Sequence, residues 1–390
     1  MKKKLLFVYP HMAIGGSTTS LLSILNLLDY SKYDVDIILG SDRGELLNYI
    51  PDQAHHLKQA LPDDGKLRLR KLTSPRYLFR KFLTRNKSAN VRYQYLNYEN
   101  ARMSRKLTQK YDVAIAFLET YACDYVADFV TADKKIFWLH LDYIGAGFEK
   151  EFDQKIYRKF EKIVLVSEIC RENFIKVFPE LADRAVVIEN ILSTAYMRQK
   201  AAEACNLETD PSYLNLISVC RIDFKHKGLD RGVAALANLK QRGISNVRWY
   251  IIGNGPDRER LDTLIFHNSL EQNIFLLGAK INPAPYIRQM DCFFLPSRYE
   301  GKPMAVTEAM MLGVPPLVTR YASADEQIHC GKNGLIAENN DDAICKALYD
   351  LACNRDLLQK MQDDLLTVDL SNSNEMEKIY ALINEGNTFT

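Results

Sequence analysis

At 390 residues the chain is long for one core, and domains of about 100 to 200 residues predict two. Composition is that of an ordinary globular protein, and no apolar run nears the ~20 residues needed to span a bilayer. The net charge of +2 hides an asymmetry: residues 58–110 hold fifteen Lys/Arg against three Asp/Glu, so the remainder is acidic. Eight cysteines are scattered singly, with no Cys-x-x-Cys and no Cys/His cluster, which argues against a zinc site or a disulfide framework and fits a reducing cytoplasm.

In chain order, Met1-Lys2-Lys3-Lys4 followed by Leu5 to Tyr9 has the outline of a signal peptide. The apolar run is too short, Pro10 and His11 end it, and no small-residue cleavage site follows, so it reads as a first buried strand. Gly15-Gly16-Ser17-Thr18 comes next, a turn that lets backbone approach a ligand at a helix start. A helix is expected over Thr18 to Leu28 and a strand over Val35 to Leu39. Asp34-Val35-Asp36 matches the Asp-x-Asp of metal-dependent transferases, but it opens a strand, the wrong end for a ligand, and reads as surface.

The basic insertion of residues 58–110 is rich in aromatics: Tyr77, Phe79, Phe82, Tyr93, Tyr95 and Tyr98. Around Arg76 to Arg85, Leu78, Phe79, Phe82 and Leu83 share one helical face, with Arg76, Arg80 and Lys81 toward another. Two readings stand: a helix laid on an anionic membrane surface, or a solvated helix whose apolar face is buried in its own domain. No nucleic-acid recognition motif accompanies the charge. Strands follow at Val113 to Phe117, Ile136 to Leu139, Ile163 to Val166 and Val186 to Ile188. His140 ends the second of these, so it points toward the strands' carboxyl ends. Glu161 and Glu168 bracket another strand and have no second acid suitably placed, so no Mg²⁺ or Zn²⁺ constellation is found.

The polar stretch Ser193 to Ser212 reads as a hinge. Beyond it strands are expected at Leu216 to Cys220, Trp249 to Ile252, Ile274 to Leu277, Cys292 to Leu295 and Pro316 to Val318, with helices between. Nearly all-apolar strands alternating with helices imply parallel sheets covered on both faces, hence an α/β chain of two doubly wound, Rossmann-like domains. The expected boundaries are 1–195, 196–370 and a tail, 371–390, helical near Met376 to Ile383.

Such sheets bind ligands beyond the strands' carboxyl ends. After the strand ending at Cys220, Arg221 and Lys227 can face a diphosphate, with Lys225 as a competing lysine. Gly253-Asn254-Gly255-Pro256 is a sharp turn after another strand. Phe293 to Ser297 runs into a loop holding Glu300. Pro303 suits the first helical position, Gly313 the residue past the helix end, and Pro315 and Pro316 forbid continuation. Glu308 falls about one and a half turns into that helix, whose start is a seat for a phosphate.

Glu300-Gly301-Lys302-Pro303, Glu308-Ala309-Met310 and Gly313-Val314-Pro315 resemble the donor-site signature of retaining glycosyltransferases of family 4, bacterial surface-polysaccharide type. The resemblance implies a GT-B fold, two Rossmann-like domains facing across a cleft, with a terminal helix that in the family often crosses back onto the first domain. It implies that Glu308 bonds ribose hydroxyls and that Glu300 contacts the donor sugar. Backbone amides of Met304 and Ala305 would face the diphosphate, which Arg221 and Lys227 would also hold. Gly16, Gly301, Lys302 and Asn254 join the donor site, and Lys302 replaces an apolar residue common there. His140 resembles the family's cleft histidine.

The reaction implied is transfer with retention from a nucleoside-diphosphate sugar, UDP-linked, with no bound cofactor and no metal. The acceptor expected is a glycan on a polyprenyl-diphosphate lipid, placing the protein in the cytoplasm on the inner membrane face. A sugar-nucleotide epimerase on the same fold and a non-catalytic nucleotide-sugar-binding subunit are the alternatives.

Overall fold

The computed structural model describes residues 2–372 and 374–385. Thirteen strands lie in two sheets, and every pairing within them is parallel. The first sheet takes β1 (Lys3–Tyr9), β2 (Tyr33–Leu39), β3 (His55–Leu57), β4 (Lys110–Ala116), β5 (Thr131–Leu139), β6 (Lys162–Leu165) and β7 (Ala185–Val187), in the order β3-β2-β1-β4-β5-β6-β7. The second takes β8 (Leu214–Val219), β9 (Val247–Ile252), β10 (Ile274–Gly278), β11 (Cys292–Leu295), β12 (Pro316–Thr319) and β13 (Leu335–Ala337), in the order β10-β9-β8-β11-β12-β13. The α/β class and the doubly wound sheets are those expected from the sequence. The two short edge strands β3 and β13 were not expected; three residues each carry too little apolar pattern to read.

Contacts divide the chain into two units. One is Met1–Ile191 with Asn374–Thr390, and the other is Leu192–Ser373. The terminal helix Glu375–Asn384 therefore belongs with the first sheet. Its Met376, Ile379, Leu382 and Ile383 are buried in the same core as Leu5, Phe7, Val35 and Val113. Tyr380 stacks on Tyr33 with ring centroids 5.9 Å apart, and its hydroxyl accepts from Asp29 N at 3.1 Å and donates to Leu27 O at 3.0 Å. At the helix's carboxyl end, buried Lys134 donates to Leu382 O at 2.6 Å, so a cation meets the exposed carbonyls there. Burial holds the Lys134 amine below its usual range. Of the expected 371–390 tail, residue 373 and residues 386–390 lie outside the described residues, as does Met1 of the opening segment.

The basic segment folds as three helices, Asp64–Thr73, Pro75–Leu83 and Ala89–Met103. Ser74 caps the second by accepting from Tyr77 N at 3.2 Å, and Pro75 takes its first position. Of the two readings open for this helix, burial of its apolar face within its own domain is not what the structure shows: Leu78, Phe79, Phe82 and Leu83 are 45–60% exposed. Asp36, read as surface, is buried and accepts from Tyr111 Oη at 2.7 Å. Only its neighbour Asp34 at the strand start keeps substantial exposure.

Candidate functional site

In the Leu192–Ser373 unit the strand order reverses between β8 and β11, and ligands in such sheets sit outside the carboxyl ends at that point. The loops leaving these strands are Cys220 to Gly228 and Pro296 to Pro303. They touch because Gly228 has φ 61° and no side chain; a Cβ there would lie 2.1 Å from Pro296 O. Gly253 does the same for the turn after β9, where a Cβ would lie 1.9 Å from Cys220 O. Gly253→Ala should destabilise this unit by about 1–3 kcal/mol, read as a lower Tm.

This contact brings the expected residues together. Lys227 Nζ donates to Glu300 Oε1 at 2.6 Å, and Ser297 Oγ donates to the same oxygen at 2.6 Å. Glu300 is 9% exposed. Burial lowers the Lys227 pKa, but the Glu300 carboxylate outweighs it and holds the amine above its usual range. Lys225 is exposed, so Lys227 is the lysine placed beside Glu300. Arg221 is the exposed cation of the loop: its side chain is 64% exposed and its guanidinium lies 3.9 Å from Asp223.

The helix Met304–Met311 begins beside Glu300, with Pro303 as its cap rather than its first residue, and no side chain caps it. The amides of Met304 and Ala305 thus open the helix at its positive end. Gly313 follows the helix with φ 77°, as its place past the end requires. Glu308 is half-buried, and among the described residues no hydrogen bond or ion pair reaches its carboxylate. Desolvation raises its pKa to about 7. Gly301 O accepts from Ser323 Oγ, and Lys302 is half-buried beside it. Asn254 is exposed at this turn: its Oδ1 accepts from Gly255 N at 2.9 Å and its carbonyl from Ile222 N at 3.0 Å.

Several supporting residues carried no sequence signal. Thr319 Oγ1 donates to Ser297 O, and Gln327 Nε2 donates to Pro303 O at 3.0 Å and Thr307 Oγ1 at 2.7 Å. Tyr321 Oη in turn donates to Gln327 Oε1 at 2.6 Å. The loop after β12 thereby braces the Glu300 loop, and hydroxyls and amides of this kind are too common to stand out in a sequence.

In the other unit the strand order reverses between β1 and β4. Gly15 precedes, and Gly16 opens, the helix Gly16–Leu27, which lacks a side-chain cap. His140 follows β5, with its ring 4.9 Å from that of Phe117. Its Nε2 is buried without a partner among the described residues, and desolvation lowers its pKa to about 3, so the ring is neutral at pH 7. Glu119, after β4, was missed, because no motif marks it. Burial raises its pKa to about 7, outweighing the lowering influence of the backbone N–H groups of Glu119 and His140. Thr120, next in the chain, has φ 61° and ψ −113°, a conformation that costs a β-branched residue on the order of 1–3 kcal/mol.

Residues 206–364 match the family model described as "Glycosyl transferases group 1". The likeness is to a group 1 glycosyl transferase domain over residues 206–364. The match starts before β8 and ends within the last helix of the Leu192–Ser373 unit, so the matched stretch contains Arg221, Lys227, Glu300 and Glu308.

The full length also has likenesses. An N-acetylgalactosamine-N,N'-diacetylbacillosaminyl-diphospho-undecaprenol 4-alpha-N-acetylgalactosaminyltransferase of Campylobacter jejuni is 25% identical over 355 residues, 89% of each chain. The amylovoran biosynthesis glycosyltransferase AmsK of Erwinia amylovora is 32% identical, over 35% of each chain. Relatives from Salmonella typhimurium and Escherichia coli reach 36% identity, and the chain spans 36% and 35% of their length. The crystal structure of HepE from Anabaena, in complex with UDP and glucose, has a TM-score of 0.70 at 15% identity, covering 98% of this chain and 99% of that one. The matched stretch thus lies in one half of a GT-B fold.

Proposed function

We propose that the protein is a retaining glycosyltransferase of polysaccharide assembly, moving a sugar from a UDP-linked donor to a lipid-linked glycan acceptor. The observation that carries this reading is the Lys227–Glu300 pair at the strand-order reversal, beside an uncapped helix start. The named relatives act in polysaccharide and lipid-linked glycan synthesis, which supports the acceptor class.

In this reading the donor diphosphate lies against the amides of Met304 and Ala305, with Lys227 and Arg221 as its cations. The anomeric C–O bond breaks and its electron pair goes to the diphosphate oxygen. The transition state has oxocarbenium character, and Glu300 holds the donor sugar's hydroxyls. The acceptor hydroxyl attacks from the same face, and its proton passes to the departing diphosphate. Fixed cations and helix amides stabilise the charge that builds on the leaving group.

Glu308 accepts from the ribose hydroxyls, and this sets a pH dependence. The carboxylate is the better acceptor, and with a pKa of about 7 it forms only as pH rises through that value. UDP affinity should therefore increase between pH 6 and 8. Glu308→Gln should bind more weakly and show no such rise. Calorimetric titration with UDP and GDP, on wild type and Glu308→Ala, tests the site; no nucleotide binding at any pH overturns the transferase reading.

The exposed face of the Pro75–Leu83 helix supports contact with an anionic membrane. Leu78, Phe79, Phe82 and Leu83 stand exposed among Arg76, Lys81 and Arg85, and each well-placed cation adds about 1 kcal/mol near such a surface. Sedimentation with phosphatidylglycerol-rich liposomes should retain wild type at low salt and lose Phe79→Glu/Phe82→Glu. Equal retention of both would remove the membrane from the proposal. Among the described residues no helix is long and apolar enough to cross one.

A further inference from the structure

Four observations converge on the carboxyl ends of β1, β4 and β5. Glu119 and His140 stand at the ends of adjacent strands: Ala116 of β4 pairs with Phe137 of β5, and each of the two residues follows three places later. Each keeps one buried polar atom, Glu119 Oε2 and His140 Nε2, with no hydrogen-bond partner among the described residues. A native interior seldom leaves such atoms at the ends of two neighbouring strands, because each carries an unrecovered desolvation cost. The backbone immediately after Glu119 is strained at Thr120, and strain of this kind is kept where it holds a side chain in a required position. Finally, this is where the strand order reverses, and the Gly15-Gly16 turn after β1 leaves open space, with nothing within 4 Å of a Cβ on Gly15.

We propose that Glu119 Oε2 and His140 Nε2 form a hydroxyl-binding subsite for the glycan acceptor within the first unit. This rests on the transferase reading above, and deepens it by assigning acceptor contacts. Both atoms accept from sugar hydroxyls: the carboxylate as a charged acceptor, the neutral imidazole through its unprotonated nitrogen. A vicinal pair of hydroxyls supplies two donors, one for each. Glu119 is an acceptor-binding residue in this scheme; the transferred proton still goes to the diphosphate.

Tyr9 of β1, and Cys123 and Tyr157 of the flanking helices, lie within the electrostatic influence of Glu119, and His140 follows the neighbouring strand β5. Burial raises the Tyr9, Cys123 and Tyr157 pKa values, and His140 titrates far below neutrality, so between pH 6 and 8 the change is that of Glu119. Its carboxylate forms as pH rises through about 7, and hydroxyl binding should strengthen in the same direction.

The test uses the full chain and methyl α-glycosides of glucose, galactose and N-acetylgalactosamine, with binding read by saturation-transfer NMR from pH 6 to 8. At least one glycoside should bind wild type more tightly at pH 8 than at pH 6. Glu119→Gln, a neutral isostere, should weaken binding about five-fold or more at pH 8 and flatten the profile. UDP affinity of the variant should be unchanged, which shows that it folds. Unchanged glycoside binding in Glu119→Gln, or no saturation of any glycoside by wild type, overturns the subsite. UDP titration of wild type remains the separate test of the transferase reading, so the two failures are told apart.

Discussion

Lys227→Met should lower kcat by about 10²-fold or more, the scale seen when one preorganised donor to a developing anion is removed. The amine stands 2.6 Å from the buried Glu300 carboxylate and is itself only 24% exposed. There its charge is worth far more to a departing diphosphate than in bulk water. The same substitution leaves the Glu300 carboxylate buried with Ser297 as its remaining side-chain donor, which costs about 1–3 kcal/mol of stability. Catalytic and structural losses are separated by the double variant Lys227→Met/Glu300→Gln. Removing both charges should restore most of the Tm and none of the activity. Recovery of activity in the double variant would show that Lys227 serves only to neutralise Glu300, and the leaving-group role would fall. Arg221→Ala should show the opposite pattern, a lower kcat with unchanged Tm, because its side chain is largely exposed.

The second large effect concerns the terminal helix. Deletion from Asn374 onward should unfold the first unit. Met376, Ile379, Leu382 and Ile383 are buried, and at about 1.5–3 kcal/mol each their loss amounts to ~6–12 kcal/mol. A domain's whole stability is about 5–15 kcal/mol. The deletion also strands Lys134, whose buried amine donates to Leu382 O. Ile379→Ala alone should cost about 2–5 kcal/mol. Urea unfolding followed by Trp138 fluorescence in the first unit and Trp249 in the second reports on each separately. A shift at Trp138 with none at Trp249 is the expected result, while a deletion variant with a native Trp138 transition would show that the helix is dispensable.

Strands such as β1, β8 and β11 were legible because apolar runs bounded by Gly and Pro are local signals, and they need no knowledge of distant partners. Gly313 and the loop position of Glu300 were legible for the same reason. The Lys227–Glu300 pair was legible only as two motifs; that 73 residues of chain separate two atoms in contact follows from strand order, which no local pattern records. Glu119 was silent because a single glutamate after a strand looks like any other, and its character comes from burial and from the turn at Thr120. The exposed face of the Pro75–Leu83 helix was seen as amphipathic, but sequence periodicity gives the stripe without saying what lies against it.

The return of residues 375–384 to the first sheet also orders events during synthesis. The chain leaves that unit at Ile191 and rejoins it at Asn374, so the core around Phe7 and Val113 lacks four of its side chains until the second unit has been made. At about 5–20 residues per second, translating Leu192–Ser373 takes roughly ten to forty seconds. During that interval the earlier-made half emerges from the ribosome with an apolar groove uncovered, while the later-made half can fold by itself. Pulse-labelled chains should therefore become protease-resistant last in the amino-terminal half, although that half is made first.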